Sequence, residues 1–444
     1  MLTVPIVPCN GRTPRHRGVI PLIVSKTSIR SGGFPPPTTQ IFTPAASGTH
    51  LTGEARRTAT LPPLVPAPGR PFGIYVHVPF CATRCGYCDF NTYTADELGE
   101  GTSPAGWLEA LRAELELAAR TLAGNPPVET VFVGGGTPSL LGGSGLAEVL
   151  DAIGAHFVLA PGAEVTTEAN PESTSPAFFD TIRAAGYTRV SLGMQSAAPH
   201  VLATLDRVHA PGRAVAAARE ARAAGLGHVN LDLIYGTPGE TDDDLRRSIA
   251  AVLEAGVDHV SAYALVVEEG TALARRVRRG ELPNPDEDAL ADRYQLLDAA
   301  LTEAGLDWYE VSNWARPGGQ CRHNLGYWAG GDWWGAGPGA HGHVNGVRWW
   351  NVKHPNTYAR RLLGEGRLPV GGHEILSPVE RHTEEVLLAV RLNTGIALTD
   401  LTIEERGRVP AVVDRGLGRL VDERLVLTDQ GRLLADGVVR VILD

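Results

Sequence analysis

The sequence predicts an α/β protein built on a parallel sheet, with a second, small and mainly helical domain at its C-terminal end. From residue 72 onward, apolar segments of strand length alternate six times with segments of helical length. Strands that alternate with helices form parallel βαβ units. Each predicted helix is amphipathic enough to cover the outside of a curved sheet. With 444 residues, 43% of them hydrophobic, the chain can bury one large core and carry smaller appendages.

The predicted elements of the sheet domain follow one another along the chain. The predicted strands are Phe72–Val78, Val128–Val133, Glu164–Ala169, Arg189–Leu192, His228–Ile234 and His259–Leu265. The predicted helices are Trp107–Ala123, Gly145–His156, Pro176–Ala185, Pro211–Ala224, Thr241–Ala255 and Asp286–Ala304. Trp308–Trp314 is predicted to add a further strand.

The part of the chain before the sheet domain has a different composition. Residues 1–70 are rich in Pro, Ser, Thr and Arg and contain no Asp or Glu before Glu54. This composition predicts a disordered extension. An organelle transit peptide is the alternative, although the prolines disfavour the amphipathic helix that it needs.

Two further parts follow the sheet domain. Residues 316–372 form a connecting region that is rich in Gly, Trp and His and poor in residues typical of helices and strands. Residues 373–444 are predicted to form a winged-helix-like domain. Its helical periodicity lies in Glu384–Leu392 and Ala411–Arg419, and its strand-like runs are Leu425–Leu427 and Val438–Leu443.

Charge and cysteine content narrow the function classes. A net charge of −10 argues against a nucleic-acid partner bound through its phosphates. The sequence contains no apolar run of 18 or more residues, so it predicts no membrane-spanning helix. The cysteines are odd in number, with three of the five inside one short segment, which is unlike a secreted disulfide framework. We therefore expect a reducing, cytoplasmic location.

Three of these cysteines directly follow the first predicted strand, at the spacing C-x₃-C-x₂-C. Cys81, Cys85 and Cys88 would thus lie where reactive groups gather in parallel barrels, at the C-terminal ends of the strands. Thiolates are ordinary ligands of iron–sulfur clusters. On a four-iron cube, three thiolates leave one iron open for the amino and carboxylate groups of S-adenosylmethionine (SAM). A structural zinc site is the alternative, but it normally needs four Cys or His ligands, and no second pair lies nearby.

The residues around the cysteines carry a family resemblance. The segments His77–Val78–Pro79–Phe80–Cys81 and Cys85–Gly86–Tyr87–Cys88–Asp89–Phe90 resemble the radical SAM superfamily, and within it the oxygen-independent coproporphyrinogen III oxidase branch. The resemblance covers roughly residues 72–440. It implies a partial (β/α)₆ TIM-like radical SAM barrel over residues 71–315, the C-terminal domain of that family, a [4Fe–4S] cluster and SAM.

Residues near the ends of the later strands suit SAM. The glycines of Gly134–Gly135–Gly136 allow a backbone to approach a ligand closely. The Glu168 carboxylate can accept a hydrogen bond from an ammonium group, and the planar Arg207 guanidinium suits a carboxylate. The charge of Asp232, inside an apolar strand, requires a partner such as a ribose hydroxyl. The family motifs imply SAM contacts from Tyr75, Tyr87, Gly135, Gly136, Thr137, Glu168, Gln195, Arg207 and Asp232.

Two features distinguish members of the branch. The coproporphyrinogen oxidases carry a fourth cysteine two residues after the third, where this sequence has Phe90. That departure, together with an H-N-x-x-Y-W segment, resembles the HemW-type haem chaperones. The resemblance implies haem binding, with candidate residues His323, Asn324, Tyr327 and Trp328 and weaker candidates Cys321 and His341. A packed, hydrogen-bonded role in the protein core is the alternative for these side chains.

The resemblance therefore implies a haem chaperone that transfers haem to an acceptor protein. The sequence does not identify the acceptor, for which a membrane protein is one candidate, and it leaves a homodimer open. The alternative is an oxygen-independent coproporphyrinogen III dehydrogenase, which performs a radical SAM oxidative decarboxylation in porphyrin biosynthesis. Enzymatic activity is thus open, and Phe90 disfavours it.

Overall fold

The structure, a computed structural model, describes residues 61–98, 103–207 and 210–444. Its first eight strands are β1 (Phe72–Val78), β2 (Val128–Gly135), β3 (Leu159–Ala169), β4 (Arg189–Gln195), β5 (His228–Tyr235), β6 (His259–Ala264), β7 (Asp307–Glu310) and β8 (Asn313–Ala315). The others are β9 (Asp332–Ala336), β10 (His341–Val344), β11 (Val347–Asn351), β12 (Val370–Ile375), β13 (Ile396–Ala397), β14 (Gly418–Val421) and β15 (Arg424–Leu427).

The helices lie between these strands. The first nine are α1 (Ala95–Leu98), α2 (Pro104–Thr121), α3 (Gly142–Gly154), α4 (Pro176–Ala185), α5 (Pro199–Thr204), α6 (Arg213–Ala223), α7 (Asp242–Ala255), α8 (Ala272–Arg278) and α9 (Glu287–Glu303). The others are α10 (Arg322–Trp328), α11 (Pro355–Ala359), α12 (Pro378–Ala389), α13 (Ile403–Asp414), α14 (Asp429–Leu433) and α15 (Ala435–Leu443).

A twelve-stranded sheet forms the centre of the molecule, in the order β12-β11-β10-β9-β1-β2-β3-β4-β5-β6-β8-β7. Strands β1 to β6 pair in chain order and in parallel, which confirms the predicted α/β fold. Phe132 of β2 and Tyr263 of β6 line the same cavity. The sheet is therefore curved into a partial barrel, with its lumen between these strands.

Side chains alternate between two environments along each barrel strand. On β5, Val229 and Leu231 belong to the hydrophobic core beneath the helices. Asn230 instead lines the lumen, and Asp232 is hydrogen-bonded to it. Because all six strands run in the same direction, their C-terminal ends share one end of the barrel. The residues that follow those ends can therefore form a single site.

The connecting region is more regular than its composition predicted. Residues 316–372 contain α10, α11 and the four strands β9 to β12. Strand β9 is parallel to β1, and β10 to β12 extend the sheet in antiparallel pairs. Aromatic residues such as Trp334 and Trp349, both buried, supply the packing that stabilises these strands. Trp308–Trp314, predicted as one strand, forms the antiparallel pair β7 and β8.

The described end of the predicted N-terminal extension is packed against the sheet domain. Leu64 is fully buried and pairs with Leu122. The Ala67 amide donates to Oδ2 of Asp332 at 2.8 Å. Residues 61–70 therefore belong to the folded body, in contrast to the expectation of disorder, and residues 1–60 lie outside the described residues.

The C-terminal domain has its own core, formed between α12, α13, α15 and the sheet β13-β15-β14. Residue 373, the predicted start of this domain, lies inside β12 of the main sheet, and the separate core begins with α12. The predicted strand-like run Val438–Leu443 is wrong, because this segment belongs to helix α15. Its buried residues Ala435, Val438, Val439 and Ile442 have helical spacing, which overrides the strand preference of the β-branched side chains. Among the described residues, no helix is both long and apolar enough to cross a membrane.

Candidate functional site

The cysteine loop leaves the C-terminal end of β1 and returns to it. The Cys81 amide donates to the Tyr93 carbonyl at 3.0 Å, and the Tyr93 amide donates to the Pro79 carbonyl at 2.8 Å. Within the loop, the Cys88 amide donates to the Cys85 carbonyl at 3.2 Å. These bonds hold the three cysteines on one short, closed segment.

Two neighbouring helices fix the middle of this loop. The Gly86 amide donates to the Leu205 carbonyl at 3.2 Å, and the Gly86 carbonyl accepts from the Leu273 amide of α8 at 2.8 Å. A Cβ atom on Gly86 would lie 2.3 Å from Oδ2 of Asp206. A larger residue between the second and third cysteines would therefore displace the Asp206 side chain.

The three thiols are partly exposed and have polar neighbours. The Thr137 hydroxyl lies 3.7 Å from the Cys81 sulfur, and Nη1 of Arg207 lies 3.5 Å from the Cys85 sulfur. Burial raises the pKa of the Cys81 thiol and raises the pKa of Cys88 to about 11. Metal binding would have to displace these protons, so cluster assembly would release them.

Among the described residues, no three His, Cys, Asp or Glu side chains are grouped closely enough to hold one metal ion. A four-iron cube does not need such a group, because each thiolate binds a different iron. The thiols fit that group, since they share one loop and leave the opposite side to other ligands.

The glycine triplet at the end of β2 lies directly beside this loop. The Gly136 amide donates to the Val78 carbonyl at 2.7 Å, and a Cβ atom on Gly136 would lie 2.5 Å from the Phe80 carbonyl oxygen. The Gly135 amide donates to the Glu168 carboxylate at 3.1 Å. Burial raises the pKa of Glu168. The triplet thus joins the ends of β1, β2 and β3 at close backbone distance.

The ends of β4 and β5 complete the same end of the barrel. Gln195 closes β4 with a φ of +65°, a left-handed conformation that residues other than glycine adopt only at a cost. Arg207 donates to the Gly193 carbonyl at 2.9 Å while reaching Cys85 with its other nitrogen. The Asp232 carboxylate accepts from Asn230 at 2.7 Å. The structure therefore brings the predicted Glu168, Gln195, Arg207 and Asp232 to the cysteine end of the lumen.

The two tyrosines of the predicted SAM set differ in their bonding. The Tyr75 hydroxyl is hydrogen-bonded to Nδ1 of His77 at 3.0 Å. The Tyr87 hydroxyl is buried and has no hydrogen-bond partner in the described part of the chain. This hydroxyl can therefore bond to a polar ligand beside the cysteine loop.

These groups fit SAM in chemistry as well as in position. The set offers a carboxylate for an ammonium group, a guanidinium for a carboxylate, and a second carboxylate for ribose hydroxyls. The glycine triplet packs its backbone directly against the ends of β1 and β3. The donors and acceptors match a nucleoside linked to an amino acid.

The predicted haem residues lie elsewhere. Helix α10 packs against the starting ends of the barrel strands, opposite the cysteine loop. His323 is 3% exposed, and both of its ring nitrogens are hydrogen-bonded at 2.8 Å, Nδ1 to the Thr130 hydroxyl and Nε2 to the Tyr327 hydroxyl. Asn324 donates to Glu310 at 2.9 Å, and Trp328 is buried. In this conformation the His323 imidazole is therefore a packed core group with no nitrogen available to iron.

Of the weaker haem candidates, Cys321 is buried and His341 is partly buried. The Cys321 sulfur lies 3.5 Å from the Glu164 carboxylate, and burial raises the pKa of this thiol to about 12. Burial lowers the pKa of His341 to about 4. The structure brings neither side chain to the cysteine loop.

Sequence reasoning missed the polar lining of the lumen. Its lower part contains the buried ion pair of Arg189 and Glu164 at 3.2 Å. Further lining residues are Thr166, Ser191, Asn230, His259, Ser261 and Tyr263. The signal is present in the sequence, since polar residues recur at every second position along β3 to β6, but only Glu168, Gln195 and Asp232 of these strands were identified as candidates.

Comparison with known proteins agrees with this geometry. Residues 75–252 match the family model described as the radical SAM superfamily. A Mycobacterium tuberculosis protein called "Heme chaperone HemW" is 70% identical, over 86% of this chain and 97% of that protein. A Bacillus subtilis protein of the same name is 32% identical, over 83% and 98% of the two chains. A bovine mitochondrial "Radical S-adenosyl methionine domain-containing protein 1" is 38% identical, over 76% of each.

One solved structure resembles the whole fold. The Escherichia coli coproporphyrinogen III oxidase HemN, described as a radical SAM enzyme, matches with a TM-score of 0.73 over 85% of this chain and 91% of that chain. Its 23% sequence identity establishes the shared architecture alone. The sequence relatives, by contrast, are close enough and complete enough to establish membership: the chain belongs to the HemW family of the radical SAM superfamily.

Proposed function

We propose that Cys81, Cys85 and Cys88 bind a [4Fe–4S] cluster and that SAM binds beside it. The arrangement of three thiols on one closed loop, next to the glycine triplet, supports this assignment. When bound, the cluster supplies an open iron that can ligate SAM and one-electron chemistry that the side chains themselves lack. Replacing any one of the three cysteines with alanine should abolish the cluster.

The chain's own groups would orient SAM. Glu168 and the backbone at Gly135 and Gly136 would accept from its ammonium group. Arg207 would bind its carboxylate, Asp232 its ribose, and the orphan Tyr87 hydroxyl would gain a partner. The contacts proposed for Tyr75, Thr137 and Gln195 rest on their position at the same end of the lumen.

We further propose that the protein is a haem chaperone, which binds haem and transfers it to an acceptor protein. The observation that carries this proposal is the end of the cysteine loop, where Phe90 stands in place of a fourth cysteine. The relative at 70% identity, whose name specifies a haem chaperone, supports it. We propose a cytoplasmic location, with membrane proteins as candidate acceptors and a homodimer as a candidate assembly.

Haem binding at the H-N-x-x-Y-W segment would need a rearrangement of α10. Both His323 nitrogens are occupied, so the imidazole would have to leave Thr130 or Tyr327 before it could ligate iron. We propose that His323, Asn324, Tyr327 and Trp328 contact haem only after α10 has moved away from the barrel. Aromatic faces at Tyr327 and Trp328 would then pack against the porphyrin.

The test uses anaerobic protein with a reconstituted cluster. We expect a saturable haem absorbance change at about one haem per chain, and no conversion of coproporphyrinogen III in the presence of SAM and a reductant. His323→Ala should weaken haem binding and leave the cluster absorbance intact. Formation of protoporphyrinogen would instead establish the coproporphyrinogen dehydrogenase activity and overturn the chaperone assignment.

A further inference from the structure

Glu114 is a buried carboxylate on the apolar face of α2. It is fully buried, as are its neighbours Leu111 and Leu115. A charged or polar group in such a position costs several kcal/mol unless hydrogen bonds compensate for the lost water. The partners of this carboxylate lie outside its own helix.

Three donors converge on this carboxylate from a segment more than 200 residues away in sequence. The Gly337 amide donates at 2.8 Å, the Tyr358 hydroxyl at 2.5 Å and the Asn351 side-chain amide at 2.7 Å. Both carboxylate oxygens are used, since the first two donors share one oxygen and Asn351 binds the other. Glu114 therefore fixes the position of the segment that carries these donors.

The fixed segment is the glycine turn, residues 337–340, between β9 and β10. Gly337 has a φ of +101°, and a Cβ atom there would lie 2.4 Å from the His77 carbonyl oxygen. The turn is also tied to Asn351, which donates to the Gly337 carbonyl at 2.9 Å. The glycine turn thus contacts the backbone at the end of β1, immediately before the cysteine loop.

Asn91 joins the glycine turn to the cysteine loop. Its side-chain amide donates to the Pro338 carbonyl at 2.9 Å and to the Lys353 carbonyl at 2.8 Å. Its own carbonyl is hydrogen-bonded to Nε2 of His77 at 2.9 Å. Asn91 lies on the returning leg of the loop, where the Tyr93 carbonyl accepts from the Cys81 amide.

We propose that Glu114 is a positioning residue for the cluster, acting through the glycine turn and Asn91. Its described hydrogen-bond partners include neither the thiols nor the residues proposed to bind SAM, and through those partners it holds the returning leg of the cysteine loop against the end of β1. The inference rests on the proposed cluster. Groups bonded directly to a metal ligand change metal affinity by about 10-fold to 100-fold when they are replaced, and for Glu114, which acts through further contacts, we expect the lower end of that range.

Glu114→Gln and Asn91→Asp test this chain of contacts in the full-length protein. In the wild-type protein the two Glu114 oxygens accept from three donors, whereas a glutamine side chain has one acceptor oxygen. The aspartate keeps the acceptor used by the Tyr93 hydroxyl and loses the two bonds to carbonyls. We expect iron release to a ferrous chelator to be about 10-fold faster in each variant. The double variant should release iron no faster than Glu114→Gln, because both residues act in one chain of contacts.

Glu405→Gln is the matched control. Glu405 is 7% exposed, caps α13 and is bonded to His382 in the C-terminal domain. This variant should lower thermal stability without changing iron release or the shift that SAM causes in the EPR spectrum of the reduced cluster. In Glu114→Gln and Asn91→Asp, the size of that SAM-dependent shift should change.

The outcomes separate the two proposals. Wild-type protein that takes up no cluster would overturn the proposed function itself. A wild-type protein with a normal cluster, but Glu114→Gln and Asn91→Asp variants with wild-type iron release and EPR spectra, would overturn the positioning role alone. If Glu114→Gln does not fold, the Asn91→Asp variant alone tests the positioning role, because the Asn91 side chain is only partly buried.

Discussion

At the scale of single residues, Arg207 links the cysteine loop to the end of β4. One guanidinium nitrogen contacts the Cys85 sulfur, and the other donates to the Gly193 carbonyl. A Cβ atom on Gly193 would lie 2.9 Å from this guanidinium, so β4 is shaped to admit it. A planar, forked cation can serve both neighbours at once, which a lysine ammonium cannot do in the same geometry.

Arg207→Lys should therefore weaken SAM binding by about 10-fold, the cost of one well-placed charge-assisted hydrogen bond, and leave the cluster content unchanged. The measurement is a SAM titration of the reconstituted protein followed by EPR. Arg278→Lys, at an exposed position on α8, is the control. Unchanged SAM affinity in Arg207→Lys would remove this residue from the SAM site.

The protonation of His323 gives a second prediction, which concerns the pH dependence of folding stability. Burial lowers the pKa of its imidazole to about 4 from the ordinary 6.5, so the folded protein favours the neutral ring. A lowered folded-state pKa contributes stability that is complete above pH 6.5 and is lost as the pH falls toward 4. His259 and His341 have lowered pKa values for the same reason, and they act in the same direction.

We expect the melting temperature of the haem-free protein to fall between pH 6.5 and pH 4, with a smaller fall in His323→Gln. Thermal unfolding followed by circular dichroism at several pH values measures this difference. An equal fall in both proteins would mean that the ring is accessible to water and not packed as the structure places it.

The cysteine loop was predictable from the sequence because it directly follows a predicted strand, and the SAM residues were inferred from the family resemblance. The burial of His323 could not be predicted from the sequence. A histidine beside aromatic residues has the same local sequence whether it faces a cofactor or a hydroxyl from another strand. Its partner Thr130 is 193 residues away in sequence, and only the fold brings the two together.

At the scale of elements, the sequence predicted the barrel well and the later segments less well. Strand and helix alternation over β1 to β6 is a long, repeated signal. The strands β9 to β12 are short and interrupted by glycines, so their composition resembled a loop, and pairing with β1 and with one another stabilises them. Helix α15 was misassigned because its valines and isoleucine favour strands locally, while packing in the C-terminal core selects the helix.

A buried arginine is among the contacts that join the C-terminal domain to the barrel. Arg432 of α14 forms two bonds to Asp298 of α9, at 2.9 and 2.6 Å, and lies 4.6 Å from the ring centre of Trp308. The Trp314 indole donates to the same carboxylate at 2.7 Å. The side chain of Arg432 is 8% exposed, so the pair is shielded from solvent.

Arg432→Met should destabilise the protein by about 3 kcal/mol, because it leaves the Asp298 carboxylate without its cation in a shielded position. We expect earlier proteolytic cleavage between the two domains and a lower melting temperature. Arg440→Met, at an exposed position on α15, should change neither. A wild-type melting temperature for Arg432→Met would show that the domains are held together by other contacts.

At the scale of the whole molecule, the two ends of the barrel have different properties. The cysteine end carries three partly exposed thiols beside the Arg207 guanidinium. The opposite end is covered by α10, which is hydrogen-bonded to Thr130 and Glu164. We therefore expect ligands to bind at the cysteine end, and a change at the other end requires α10 to move.

EPR spectroscopy of the anaerobically reconstituted and reduced protein tests most directly whether the cysteine end holds a three-thiolate cluster with an open iron. We predict about four irons per chain, a reduced [4Fe–4S] signal, a change of that signal when SAM is added, and no signal in Cys88→Ala. A cluster signal that SAM leaves unchanged, or a cluster that persists in Cys88→Ala, would contradict the assignment.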